Sequence, residues 1–194
     1  MVRKVCIITA TRAEFGPLKC LIEGVIKDPD LELQLIVTGA HLSPEFGNTV
    51  EQIVESNIPI SKRIEILLSS DSAIGVGKTM GLALISFSEA FQELNPDLII
   101  VLGDRYELIP IVSAANIAQI PVAHISGGEV TEGAIDDLIR HSVTKMSQLH
   151  FTAMKEYSKR VIQMGEQPSR VFTVGEPGLD NLNKMNLLTR DSFQ

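Results

Sequence analysis

Short, nearly continuous apolar runs alternate along the chain with longer stretches in which apolar residues recur every three or four positions. The runs are "KVCIIT" (4–9), "ELQLIVTG" (32–39), "RIEILL" (63–68), "DLIIVLG" (97–103), "PVAHIS" (121–126), "LHFTA" (149–153) and "RVFTVG" (170–175). A run without polar alternation, such as "LIIVLG", suits a strand covered on both faces. Between the runs, helices are predicted over about 17–28, 45–57, 73–94, 106–118, 134–147, 154–164 and 178–185. Pro96 and Pro121 stand just past two of them, where proline blocks continuation, and Gly165 is placed as a helix C-cap. Strand and helix in regular turn predict an α/β fold: a doubly wound parallel sheet, Rossmann-like, with right-handed crossovers.

The bulk properties narrow the class. At 194 residues the chain suits one domain, and it contains no internal repeat. A net charge of −7 gives no general attraction to nucleic acid or to an anionic membrane, so neither is an expected partner. Any phosphate must instead be met by a few local basic groups and backbone dipoles. Cys6 and Cys20 lie in apolar runs without metal-ligand spacing, which predicts buried thiols in a reduced compartment. The apolar stretch near the N-terminus is too short for a signal peptide, and no run reaches transmembrane length. A soluble, cytoplasmic protein is expected.

One segment invites a nucleotide-triphosphate reading. "SDSAIGVGKT" (70–79) ends like a P-loop, but the position that needs the first glycine is Ser72. The segment is therefore expected to open a helix, with the near-match accidental.

Doubly wound sheets bind ligands beyond the carboxyl ends of their strands, where strand order reverses. In the commonest order that crevice lies between the first and fourth strands. The loops there are "TATRAEFG" (9–16), "LGDRYE" (102–107) and, next door, "HISGGEVTEGAIDD" (124–137). Arg12 either joins helix N-terminal amides in holding a phosphate or pairs on the surface with Glu14. Asp104 caps the following helix or serves as a functional carboxylate, with Arg105 as a second phosphate-capable group. In the third loop Gly127-Gly128 suits close approach of a ligand to the backbone. Glu129 follows at once, and Asp136 and Asp137 open a helix with Arg140 and His141 four residues after each. Those four either form ordinary i,i+4 pairs or supply acid–base groups and substrate contacts. His41 follows the second strand and is expected to face the crevice, whereas His124 and His150 lie inside strands and read as core histidines. The dinucleotide pattern G-x-G-x-x-G is absent, which argues against NAD or FAD, and no Ser-His-Asp elbow or metal-ligand cluster occurs.

In "TATRAEFGPL", "VTGAHLSPEFGNT", "IGVGKTMGLAL", "PDLIIVLGDRYE", "HISGGEVTEGAIDDLIRHSVTKMSQLHF" and "RVFTVGEPGLDNL" the chain resembles the hydrolysing UDP-N-acetylglucosamine 2-epimerases of sialic and related nonulosonic acid synthesis. The resemblance implies a GT-B architecture of two Rossmann-like domains facing a cleft. This chain is similar to the first domain, residues 1–194, with its boundary region at about 178–194. It also implies a C-terminal UDP-binding domain that completes the site. Since a cleft needs two walls, the first domain alone is expected to bind UDP weakly and turn over little. A homo-oligomer, dimer or tetramer, is expected.

The implied chemistry removes the C2 proton and expels UDP from C1, giving 2-acetamidoglucal, to which water adds. It asks for no metal or other cofactor. By resemblance Asp104 and Asp136 match acidic catalytic positions, Arg12 and Arg105 phosphate-side arginines, Gly175 a backbone contact to the nucleotide, and His41 a histidine tied to activity. Many relatives carry Glu where this chain has Ser126. Serine cannot replace a carboxylate base, so either Glu129 takes the role or the preferred sugar differs. The expected reaction is UDP-N-acetylglucosamine to N-acetylmannosamine and UDP. The alternatives are the hydrolysing 2-epimerase of UDP-2,4-diacetamido-2,4,6-trideoxyglucose, a non-hydrolysing epimerase, and a non-catalytic nucleotide-sugar module.

Overall fold

The computed structural model describes residues 2–184. Of the boundary region expected at 178–194, residues 185–194 lie outside the described residues. Seven strands form one wholly parallel sheet in the order β3-β2-β1-β4-β5-β6-β7. They are β1 (Arg3–Thr9), β2 (Leu31–Thr38), β3 (Lys62–Ile64), β4 (Leu98–Leu102), β5 (Val122–Ile125), β6 (Leu149–Thr152) and β7 (Val171–Thr173). The helices between them are α1 (Arg12–Lys27), α2 (Val50–Glu55), α3 (Ala73–Leu94), α4 (Leu108–Ile117), α5 (Ile135–Lys145) and α6 (Lys155–Gln163), followed by α7 (Pro177–Lys184). This is the doubly wound class read from the sequence, of the kind that forms the first half of a GT-B enzyme.

The central runs are apolar because both faces are covered. One face packs Phe15, Leu18 and Ile22 of α1 and Ile53 of α2 on Ile7, Leu35 and Val37. The other packs Phe87 and Phe91 of α3, Ile111 and Ala115 of α4 and Val143 of α5 on Cys6, Ile8, Ile36 and Val101. In α3 the buried Ala83, Phe87, Ala90 and Phe91 recur at helical spacing. The two phenyl rings meet edge-on at 5.6 Å. Each fully buried ring contributes on the order of 2–3 kcal/mol by burial, which makes this pair a main anchor of the sheet's second face. The helix stops at Asn95 in the left-handed region (φ 46°), just before Pro96.

Three elements depart from the predicted boundaries. Helix α1 begins at Arg12, five residues before the predicted start at 17, because Glu14 reaches back to the amides of Ala10 (2.6 Å) and Thr11 (3.2 Å). Pro17 is the sixth residue of the helix, so its missing N–H leaves the Ala13 carbonyl without its usual partner four residues on. The helix expected over 45–57 shrinks to Val50–Glu55, since two 3-10 turns, Gly39–Leu42 and Pro44–Phe46, and the left-handed Gly47 (φ 81°) occupy the approach. The strand expected over 63–68 pairs only through Ile64, opposite the end of β2. Beyond it the chain peels off the sheet edge and turns back over the carboxyl ends of the strands.

Near α3 the P-loop resemblance dissolves into capping. Ser72 Oγ accepts from the Gly75 amide at 3.1 Å, and Thr79 Oγ1, at the position a magnesium ligand would need, is buried and accepts from the Leu68 amide at 3.2 Å. Gly75 is required for packing: a Cβ there would stand 2.5 Å from Ser70 Oγ. Among the described residues, no helix is long and apolar enough to cross a membrane.

Candidate functional site

With β2 on one side of β1 and β5 on the far side of β4, the strand order reverses between β1 and β4. A hollow of about 740 Å³ opens above that point. Its charged wall is Arg12, from the first turn of α1, and Arg105, from the turn after β4, with Tyr106 beside it. The facing wall is Phe46, Leu67 and Leu68, and Ser70 and Asp71 close the side where α3 begins. The elements that leave the sheet early thus supply the apolar half of the hollow.

Of the two readings of Arg12, the surface pair with Glu14 does not form: Glu14 is 5% exposed and spends one oxygen on backbone amides, while Arg12 stays exposed. Burial pushes the Glu14 carboxyl up to about 7, against the backbone hydrogen bond from Ala10 and the charge of Arg105. Its other oxygen is buried without a partner. Arg105 is held side-on by Glu107, with Nε 3.2 and 3.3 Å from the two carboxylate oxygens and Nη2 3.0 Å from Oε1.

Asp104 turns the other way. It does not cap α4, whose N-cap is Glu107, but pairs with Arg140 of α5. Arg140 is 6% exposed and also donates through Nη1 to Thr131 Oγ1 at 3.1 Å. The i,i+4 pair of Asp136 with Arg140 is therefore replaced by a contact that ties two loops together, leaving Asp136 exposed at the start of α5. The other i,i+4 pair exists: His141 Nε2 lies 3.6 Å from Asp137 Oδ2, and Asp137 Oδ1 accepts from the Thr131 amide at 2.9 Å. Glu129 belongs to the same cluster. Its carboxyl is raised, first by burial and then by Glu176 and Asp104, while Arg140 opposes the shift. Asp104, Glu129, Arg140, Thr131 and Asp137 are thus gathered at the ends of β4 and β5, adjoining the arginine-lined hollow through the peptide between residues 104 and 105.

Three sequence-predicted residues lie elsewhere or act differently. His41 does not face the hollow. It is 1% exposed, its Nε2 meets Thr9 Oγ1 at 3.0 Å and its Nδ1 meets Thr49 Oγ1 at 2.7 Å, and burial lowers it to about 4. Gly175 (φ 89°) lines a separate apolar slot of about 390 Å³ between α1 and α7, although its neighbour Glu176 is close enough to raise Glu129. Ser126 ends β5 in the left-handed region (φ 64°), and its amide donates to the Phe151 carbonyl at 2.9 Å.

The glycines after Ser126 also find a reason other than ligand approach. A Cβ on Gly127 would stand 3.0 Å from Thr144 Oγ1, and one on Gly128 would stand 2.5 Å from the Tyr157 carbonyl. They let α5 and α6 close under the acidic turn. The two strand histidines are core groups, as read. His124 Nε2 meets the Gly103 carbonyl at 2.8 Å and so supports the turn that carries Asp104, while His150 Nε2 meets Glu166 at 3.2 Å. Cys20, expected to be buried, is only partly so, and its thiol donates to Asn181 at 2.9 Å across to α7.

Sequence reasoning considered Glu14 only as a surface partner of Arg12, and missed Glu107 and Phe46. Glu14 was legible, since Thr11-x-x-Glu14 is a helix-start pattern. Glu107 and Phe46 carry no local signal of their role, because each is defined by what lies across the hollow.

The family model described as UDP-N-acetylglucosamine 2-epimerase matches residues 24–194. A Campylobacter jejuni protein named GDP/UDP-N,N'-diacetylbacillosamine 2-epimerase (hydrolyzing) is 47% identical over 192 residues, 99% of this chain and 50% of that protein. A Legionella pneumophila protein named UDP-N,N'-diacetylbacillosamine 2-epimerase (hydrolyzing) is 36% identical over 193 residues, 100% of this chain and 51% of that one. Among solved structures, a UDP-N-acetylglucosamine 2-epimerase superposes with a TM-score of 0.84 at 20% identity, over 98% of this chain and 53% of the other. The chain thus spans about half the length of the curated relatives it matches. On the match of the family model over most of its length, the chain belongs to the UDP-N-acetylglucosamine 2-epimerase family.

Proposed function

We propose that this chain supplies the acid–base half, and part of the diphosphate site, of a hydrolysing 2-epimerase acting on a UDP-linked 2-acetamido sugar. The observation that carries the reading is the divergence of two consecutive residues. Arg105 joins Arg12 on the wall of the hollow, while Asp104 joins Glu129 and Arg140 beside it. A sugar nucleotide needs those two environments next to each other, because the bond that breaks joins the sugar to an anion.

In the first step a carboxylate takes the C2 proton while the C1–O bond breaks, its electron pair leaving with UDP. The product is 2-acetamidoglucal. The C2 proton is poorly acidic, so C1–O cleavage leads, through an oxocarbenium-like state that nearby carboxylates stabilise. Arg12 and Arg105 take up the charge that develops on the diphosphate. In the second step water adds across the double bond, hydroxyl to C1 and proton to C2 from the opposite face. The net reaction consumes one water and yields the C2 epimer and free UDP.

Asp104, Glu129 and Asp136 are the carboxylates for these proton transfers. The Glu129 carboxyl is raised by burial, which makes it a stronger proton acceptor than an ordinary carboxylate. It takes the place that Ser126 cannot fill as a base. Arg140 and Thr131 hold Asp104 and the acidic turn in one geometry, and Asp137 and His141 fix the start of α5. Of the two sugars expected from the sequence, the names of the Campylobacter and Legionella relatives favour the 2,4-diacetamido-2,4,6-trideoxy sugar, and the departure at Ser126 agrees.

The test is an NMR assay of the complete gene product in D2O with UDP-2,4-diacetamido-2,4,6-trideoxyglucose and with UDP-N-acetylglucosamine. The expected result is free UDP and a C2-inverted sugar carrying deuterium at C2, formed faster from the first substrate. An epimer still attached to UDP would mean a non-hydrolysing enzyme. A product without deuterium at C2 would remove the elimination mechanism.

A further inference from the structure

The grip on Arg105 has a property that its neighbours lack. Glu107 is wholly buried (0% of its side chain exposed), whereas the Arg105 side chain is 40% exposed. The carboxylate therefore stands behind the guanidinium, on the protein side. The side-on pairing occupies the Nε–H and one N–H of Nη2. Both N–H groups of Nη1 and the second of Nη2 have no protein acceptor among the described residues. The Tyr106 ring lies 5.8 Å from the guanidinium carbon and limits its swing.

A buried carboxylate is costly unless paired. Glu107 stands at the N-cap position of α4, yet its side chain makes no capping hydrogen bond to that helix. Its buried charge is committed to one partner, and that partner points its free donors into the hollow.

We propose that Glu107 is a positioning residue that sets the plane and direction of the Arg105 guanidinium, so that the three free N–H groups meet the diphosphate of the substrate as a preformed fork. The proposal rests on the reading of the hollow as a diphosphate site. A freely rotating arginine would lose side-chain entropy on binding, and the Glu107 pairing removes that loss beforehand.

The experiment is a double-mutant cycle in the complete gene product, using Arg105→Ala, Glu107→Gln and the pair together, with UDP as the probe. Calorimetric UDP affinity and thermal midpoint are both read. Glu107→Gln keeps the size and one acceptor but loses the charge. It is expected to weaken UDP about tenfold in the Arg105 background and to add nothing beyond Arg105→Ala in the pair. Glu107→Asp, which keeps the charge but draws it back by one methylene, is expected to be intermediate and serves if the Gln variant does not fold. A lowered thermal midpoint with unchanged UDP affinity in Glu107→Gln, or in Glu107→Asp where that stands in, would make Glu107 purely structural and overturn the proposal. If Arg105→Ala itself leaves UDP affinity unchanged, the reading of the hollow fails first.

Discussion

The two sides of the crevice are built from the same kinds of residue and arranged in opposite ways. On the β1 side, Glu14 and Glu107 are buried, while Arg12 is exposed and Arg105 partly so. On the β5 side, Arg140 is buried and the acids around it, Asp104, Glu129, Asp136 and Asp137, are the more exposed groups. One side presents cations backed by carboxylates; the other presents carboxylates backed by a cation. On the first side Glu107 favours the charged form of Arg105 against the cost of burying it, and on the second Arg140 opposes the rise that burial imposes on Glu129. A reaction that separates an anion from a sugar while moving protons needs that asymmetry, and a single peptide bond, between residues 104 and 105, joins the halves.

If the acids do the proton work, Asp104→Asn should cost the most. Turnover is expected to fall by about 10²–10⁴, the usual worth of a general acid or base, with UDP affinity little changed. A parallel loss of both in steady-state kinetics and calorimetry would mean that the two sides are not separable. The reciprocal change is Arg12→Ala, expected to weaken UDP by about ten- to a hundredfold, as loss of a charge-assisted phosphate contact should. Retention of affinity would take Arg12 off the diphosphate.

The backing groups give a prediction in stability. Glu14 titrates at about 7 in the fold and at 4.5 in an ordinary chain, so the protonated form is favoured by folding. Its contribution is fully present below pH 4.5 and is lost as pH rises through about 7. Thermal or denaturant unfolding of wild type against Glu14→Gln should show wild type losing stability across that interval, on the order of 3 kcal/mol in all, with a flatter curve for the variant. Superimposable pH profiles would remove Glu14 from the network. The smallest effect is expected at Phe46, 57% exposed on the apolar wall. Phe46→Ala should raise the Michaelis constant for the sugar nucleotide about threefold, the usual worth of one aromatic contact. No change would mean that this wall does not touch substrate.

Much of this could be read from the chain. The runs "KVCIIT", "ELQLIVTG" and "DLIIVLG" are apolar because their strands are central, and their order places the crevice where 12, 104 and 105 fall. What misled was local. The first helix was expected from 17, whereas the Glu14 cap starts it five residues earlier. "RIEILL" has the apolar content of a strand but keeps pairing only through Ile64, since β2 ends opposite it. The partners of charged side chains were least legible. Helical spacing pairs Asp136 with Arg140, but Asp104 sits closer in space, and nothing in the order of residues says so. His41 follows a strand as a crevice residue would, yet Thr9 and Thr49 hold its ring inside.

The most direct test is a crystal structure of the complete protein with UDP bound. The predicted result puts the diphosphate oxygens within hydrogen-bonding distance of Arg12 and of the outward N–H groups of Arg105, with Asp104 and Glu129 facing the place the sugar would take. A diphosphate seated instead on Arg140, or outside the hollow with Arg105 still turned to Glu107 alone, would contradict the division of the crevice.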